Sequence, residues 1–167
     1  MAASFPNTQS AERSALFIDT HAHYDDAAFD ADRDQLLETL HQSGVETIIN
    51  CGTNLKNCRQ ILKMLQKHKW MHAAMGVHPS DVKGLDIDHV AYIVDFAESS
   101  DRVVASGEIG LDYHYEGASR REQQDWFIEQ IEVAKELDLP IIVHSRDAAQ
   151  DTMDIIRDYD AAMVGGI

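Results

Sequence analysis

Cysteine is scarce, and so are basic residues and long apolar runs. The only cysteines are Cys51 and Cys58. Seven residues apart, they match no metal or redox spacing, so they read as two reduced thiols of a cytoplasmic protein rather than as a disulfide framework. No run approaches the ~18 consecutive apolar residues of a membrane span. The opening MAASFPNTQSAERSA lacks the basic start and apolar stretch of a secretory signal, and residues 1–15 read as a flexible leader. No Pro/Gly/Ser-rich linker and no internal repeat divides the rest, so residues 16–167 read as one domain. Lys and Arg number 14 against 29 Asp and Glu, a net charge of −15. That balance repels nucleic acid in bulk, because affinity for it usually rests on Lys and Arg. A phosphodiester substrate would need bound cations to do locally what the surface as a whole does not.

The pattern that remains is an alternation of short β-branched runs with helical periodicity. Strands are expected at Ala15–Thr20, Thr47–Asn50, Met71–Val77, Val103–Ser106 and Ile141–Val143, with a sixth beginning over Met163–Ile167. Between them, Asp30–His41 carries Leu36, Leu37 and Leu40 on one helical face and stops at Gly44. Asn54 caps a helix with Leu55, Cys58, Leu62 and Leu65 on one stripe. Val90, Ile93, Val94 and Ala97 mark a third helix. Ser119 and Glu122 form a capping box for a fourth, which carries Phe127, Ile131 and Ala134. Thr152–Tyr159 is the fifth.

Such alternation means an α/β fold, a parallel sheet with helices outside it. Closure is open to two readings. A complete eightfold barrel usually needs about 250 residues, so length alone favours an open, doubly wound sheet.

The histidines mark the end of the sheet where a site would be built in either closure. His41, His68, His72 and His89 lie at helix ends or outside any motif, whereas His21, His23, His78, His114 and His144 all lie at or just past the C-terminal end of an expected strand. Sites in parallel α/β folds are built at that end. In FIDTHAHYD (17–25), His21 and His23 are two apart, so both rings face one side, and Asp19 shares it. Converging imidazoles with a carboxylate to orient them suit a divalent metal. The alternative is a buried, hydrogen-bonded strand end. In GEIGLDY (107–113), Glu108 offers a strand-mouth carboxylate able to bridge two metals, and Asp112 is better suited to support than to ligation. In IIVHSRDA (141–148), Arg146 follows His144 by two. It is placed either to grip a phosphate bidentately or to pair with Asp147 or Asp151. His78 in MGVHP (75–79) reads equally as a substrate or supporting group and as a loop-former.

Taken in order and at their spacing, F-I-D-T-H-A-H-Y-D, G-V-H-P, G-E-I-G-L-D-Y and H-S-R-D-A resemble the TatD-like family of metal-dependent deoxyribonucleases, in the wider amidohydrolase-like group. The resemblance covers about residues 16–167. It implies a partial TIM-type (β/α) barrel of about five βα units plus a sixth strand, all parallel. The implied activity is hydrolysis of DNA phosphodiesters, often 3′ to 5′ and on single strands or 3′ ends, through water activated by two divalent cations (Mg, Mn or Zn). By resemblance His21 and His23 hold one metal, Glu108 bridges both and His144 holds the second. Asp19, His78, Asp112 and Arg146 are then supporting or substrate-binding groups. Family members continue with a further His and a late Asp that this chain does not reach. The expectation is therefore an incomplete domain that self-associates through open sheet edges and does not enter membranes. Two other functions follow from the same residues. One is an amidohydrolase-like deacylase or lactonase, which a lysine on strand four would favour, but Glu108 stands there. The other is an inactive metal-binding fragment.

Overall fold

The computed structural model describes residues 16–167, so the expected leader lies outside the described residues. Five strands, β1 (Phe17–Ala22), β2 (Val45–Cys51), β3 (Met71–Met75), β4 (Val103–Asp112) and β5 (Ile141–Arg146), alternate with helices α1 (Arg33–Gln42), α2 (Leu55–Lys67), α3 (Val90–Glu98), α4 (Arg120–Glu136) and α5 (Ala149–Asp158). All strand pairs are parallel, and the spatial order β1-β2-β3-β4-β5 follows the chain. The sheet curls into part of a barrel. Among the described residues no helix is long and apolar enough to cross a membrane.

The two faces of the sheet are packed differently. Outward, Ile48, Met71, Ala73, Met75 and Val103 meet Leu37, Ile61, Leu65, Ile93 and Trp126 of the helices. Ile109, Leu111 and Ile141 pack against Phe127, Ile131 and Ala134 of α4 and Ile155 of α5. Inward, the contact is made by smaller groups: Cys51, Ala74 and Ala105, with Ile142 and Ile49. Small inward residues fit the concave side of the curled sheet.

Local signals act where the sequence puts them. The Asn54 side chain accepts hydrogen bonds from the N–H groups of Lys56 and Asn57. Ser119 and Glu122 make a reciprocal capping box at α4. After α1 the chain turns through Gly44 at φ 106°, a conformation that favours glycine.

Three expectations change. β4 and β5 run on to Asp112 and Arg146, so Glu108 and His144 stand inside paired strands rather than past them. Continued β4–β5 pairing, with Gly110 opposite His144 and Asp112 opposite Arg146, is the reason. The sixth strand shrinks to a single bridge from Gly166 to Ile141. A 3-10 turn takes up Ala161–Met163, and Gly165 follows at φ 73°, so little of the segment is left in extended form. α1 starts later than Asp30, because a 3-10 turn capped by Asp26 occupies Ala27–Phe29.

Candidate active site

Glu108 sits where the strand ends converge, with its side chain 8% exposed. Its backbone N–H reaches past the end of β3 to the Gly52 carbonyl, 2.9 Å away. Glycine is needed at Gly76 for that approach, since a Cβ there would come within 2.8 Å of the Gly107 backbone. The carboxylate then meets three imidazoles. Oε2 lies 3.2 Å from Nε2 of both His21 and His23, and Oε1 lies 3.1 Å from Nδ1 of His144.

β1 and the residue just past it supply two of those rings from one side of the chain. The intervening Ala22 is buried on the other side, as period-2 alternation requires. His23 Nδ1 is 3.1 Å from the Cys51 carbonyl. A carbonyl can only accept, so Nδ1 carries the proton and Nε2 is left facing Glu108. Asp19 does not reach a ring; its Oδ1 accepts the backbone N–H of His21 at 3.2 Å.

β5 supplies the third ring. His144 Nε2 lies 3.0 Å from Asp112 Oδ2, so the imidazole stands between two carboxylates. Asp112 is itself oriented by the His114 N–H, 2.9 Å from Oδ1. Gly110 makes this packing possible: at φ 136° it faces the His144 carbonyl oxygen, which any Cβ would strike.

Charges follow from these contacts. Hydrogen bonding to Glu108 raises the pKa of His23 and of His144, and wins over burial in both. Burial alone would raise Glu108. Hydrogen bonds from His144 and His23 and the charge of His21 hold it well below the usual carboxylate range. Asp112 is likewise held low, as the His114 N–H and His144 outweigh its burial.

His78 shapes the loop after β3 and lies beside His144. Its Nδ1 accepts the Ser80 N–H at 3.1 Å, forming the Pro79–Asp81 turn, and its ring lies 4.2 Å from that of His144. With Nδ1 accepting, the proton of neutral His78 resides on Nε2, which makes that atom a donor. Burial, and then the neighbouring His144, push its pKa down.

Arg146 pairs with neither expected carboxylate. Asp147 meets His114 at 3.0 Å, and Asp151 accepts from Tyr113 and Gln124. The Arg146 guanidinium lies instead over the Tyr115 ring, 4.8 Å from its centroid.

Burial pushes the thiol pKa of Cys51 up to about 12 and that of Cys58 up to about 11.

The donor set fits divalent cations. His21, His23 and Glu108 present ligand atoms within 4.8 Å of one another, and so do His78, Asp112 and His144. Neutral imidazole lone pairs at 3.2 Å from a carboxylate oxygen repel it unless a proton or a cation lies between. An Asp112-backed His144 is also the carboxylate–histidine arrangement that orients metal ligands.

An open cleft of about 400 Å³ lies over this cluster, and five of its lining residues, Asp25, Asp26, Thr53, Asn57 and Asp81, were not singled out from sequence. Asp25 closes the FIDTHAHYD motif, so its signal was adjacent. It is buried, and its Oδ1 accepts from Asn50 Nδ2 at 2.8 Å.

The profile of the family described as TatD related DNase matches residues 18–167. The chain is 35% identical to the uncharacterized metal-dependent hydrolase YabD of Bacillus subtilis, over 91% of this chain and 59% of that one. It is 29% identical to the 3′-5′ ssDNA/RNA exonuclease TatD of Escherichia coli, over 83% of this chain and 53% of that one. The crystal structure of the TatD homolog YjjV from E. coli superposes with a TM-score of 0.80 at 32% identity, covering 87% of this chain and 56% of the other. A TatD family hydrolase from Entamoeba histolytica shares the fold, with a TM-score of 0.83 at 22% identity over 92% of this chain and 57% of that one. The chain spans about three-fifths of the length of the curated relatives it matches. On the match over residues 18–167, the chain belongs to the TatD-related DNase family.

Proposed function

We propose that this chain carries the first part of a two-cation phosphodiesterase site acting on single-stranded DNA from its 3′ end. The observation that carries the reading is Glu108. Its Oε2 faces the His21 and His23 rings, and its Oε1 faces His144. One buried carboxylate thereby addresses two ligand groups, which is what a bridging position between two cations demands.

In this reading His21 and His23 hold one cation, Glu108 spans both, and His144, backed by Asp112, holds the second. Bound divalent cations lower the pKa of a coordinated water and neutralise charge on a phosphoryl group in flight. The protein residues do the rest. The Cys51 carbonyl keeps the His23 Nε2 lone pair inward. Asp112 keeps the His144 ring upright and its outer nitrogen protonated. The His78 Nε2–H donates to a phosphoryl oxygen. Support also comes from the relative named as a 3′-5′ ssDNA/RNA exonuclease.

The test is cleavage of a labelled single-stranded oligonucleotide with Mn²⁺, paired with calorimetric Mn²⁺ titration, for wild type and Glu108→Gln. Gln keeps the shape and removes the charge. Cation affinity should fall more than the ~10–100-fold typical of losing an outer-shell partner, and cleavage should disappear. Equal rates and equal affinities would remove Glu108 from the bridging role.

A further inference from the structure

The five strands contain one Lys or Arg between them, Arg146, at the mouth end of β5. It follows His144 by two residues, so the two share a face of the strand. In a chain of net charge −15, a strand-borne cation without a carboxylate partner calls for one. Arg146 makes no salt bridge among the described residues, because the carboxylates nearest in sequence, Asp147 and Asp151, are engaged by His114 and by Tyr113 and Gln124. Its Nη1 donates to the Tyr115 hydroxyl at 3.1 Å, and its guanidinium lies over the Tyr115 ring.

A second Arg–Tyr pair nearby shows what a purely structural version looks like. Arg120 lies 4.3 Å from the Tyr113 ring centroid. The Tyr113 hydroxyl is bound to Asp151 at 2.8 Å and to Gln124 at 2.9 Å, tying the β4–α4 loop to α4 and α5. Tyr115, two residues on, has no such anchor. It is 59% exposed. Its neighbour His114 stands edge-on to it, 4.8 Å between centroids, and donates its backbone N–H to Asp112, the carboxylate that orients His144. An exposed aromatic plate is thus hinged to the ligand cluster through two residues.

We propose that Tyr115 and Arg146 form a nucleotide subsite at the rim of the cluster: the Tyr115 ring stacks an unpaired base of single-stranded DNA, and Arg146 holds the phosphate beside it. The inference rests on the phosphodiesterase reading and adds to it a location and a demand for unstacked bases. Every base offers a π-face, so the subsite favours single strands without choosing a sequence. The guanidinium covers part of the ring and still has N–H groups free for a phosphate fork.

The measurement is fluorescence-anisotropy binding of a fluorescein-labelled, phosphorothioate-linked oligodeoxythymidylate to the full chain, with Mn²⁺ and over a salt series. Tyr115→Ala should weaken binding by about 5- to 150-fold with an unchanged salt slope, and Tyr115→Phe should bind nearly as wild type. Arg146→Ala should reduce the salt slope by about 0.7, the value for one phosphate contact on a single strand. An oligonucleotide of the same backbone without bases should bind wild type and Tyr115→Ala alike. Wild type that binds the oligonucleotide while Tyr115→Ala binds it equally well would overturn the subsite and leave the phosphodiesterase reading standing. Wild type that neither binds nor cleaves single-stranded DNA would overturn both.

Discussion

The two flanks of the histidine cluster are held in place by different means. On one flank, β4 lies between two neighbours in the sheet, and the Glu108 and Asp112 side chains are 8% and 4% exposed. Their positions follow from strand pairing, from buried backbone contacts and from the close Gly110–His144 approach. On the other flank, β1 has one neighbour in the sheet among the described residues, and the side chains of His21 and His23 are 37% and 39% exposed. Here the sheet alone does not suffice, and side chains clamp the turn that follows. Arg33 donates to the carbonyls of Tyr24, Asp25 and Asp26. Asn50, fully buried on β2, accepts the Tyr24 N–H at 2.7 Å and donates to Asp25 at 2.8 Å. Where a strand is paired on both sides, packing orients the candidate ligands; where the described sheet pairs it on one side, polar latches reach the same order.

Breaking the latch should have the largest effect on stability. Asn50→Ala orphans the Tyr24 N–H and one Asp25 oxygen, each worth about 1–3 kcal/mol when left buried without a partner. Urea unfolding should show a loss of at least about 2 kcal/mol, with weaker Mn²⁺ binding because His23 is no longer aligned. Unchanged stability would mean that the β1 flank is held by the sheet after all.

A smaller effect, on ligation rather than folding, is expected on the packed flank. Asp112→Asn removes the charge that holds the outer nitrogen of His144. Mn²⁺ affinity should drop about 10- to 100-fold, in keeping with other partners of metal-ligating histidines. The melting temperature should move far less than for Asn50→Ala. A destabilisation as large as that of Asn50→Ala would erase the distinction between the flanks.

The smallest effect belongs to the packed interior. Cys51 and Cys58 are fully buried, and burial holds both thiols far from ionisation at pH 8. A disulfide reagent should label neither in the folded chain and both in denaturant. Rapid labelling of Cys51 under native conditions would show that the sheet opens near the cluster.

How far the sequence could be read varies along the chain. The capping box at Ser119, the cap at Asn54 and the stop at Gly44 all stand as expected, since each is settled by atoms within about four residues. The sixth strand and the ends of β4 and β5 do not. Whether Gly110–Asp112 continues as strand depends on β5 lying beside it, and pairing partners are not written in either segment alone. His21 and His23 could be put on one face from a spacing of two. Asp25, in the same motif, carries no comparable signal because its role comes from Asn50, a partner on another strand.

The sequence by itself determined the alternation of strands and helices, the types of the candidate ligands and the side of the sheet toward which they lie, because periodicity and capping are short-range physics. Only the tertiary structure decided which groups meet. It put both Glu108 oxygens among three imidazoles, gave His144 to Asp112 and left Arg146 over Tyr115 with its nearest carboxylates already taken. Each of those outcomes is a competition among charged and polar groups brought within about 3 Å from separate elements, and hydrogen-bond energy falls too steeply with distance and angle for spacing along the chain to rank the competitors.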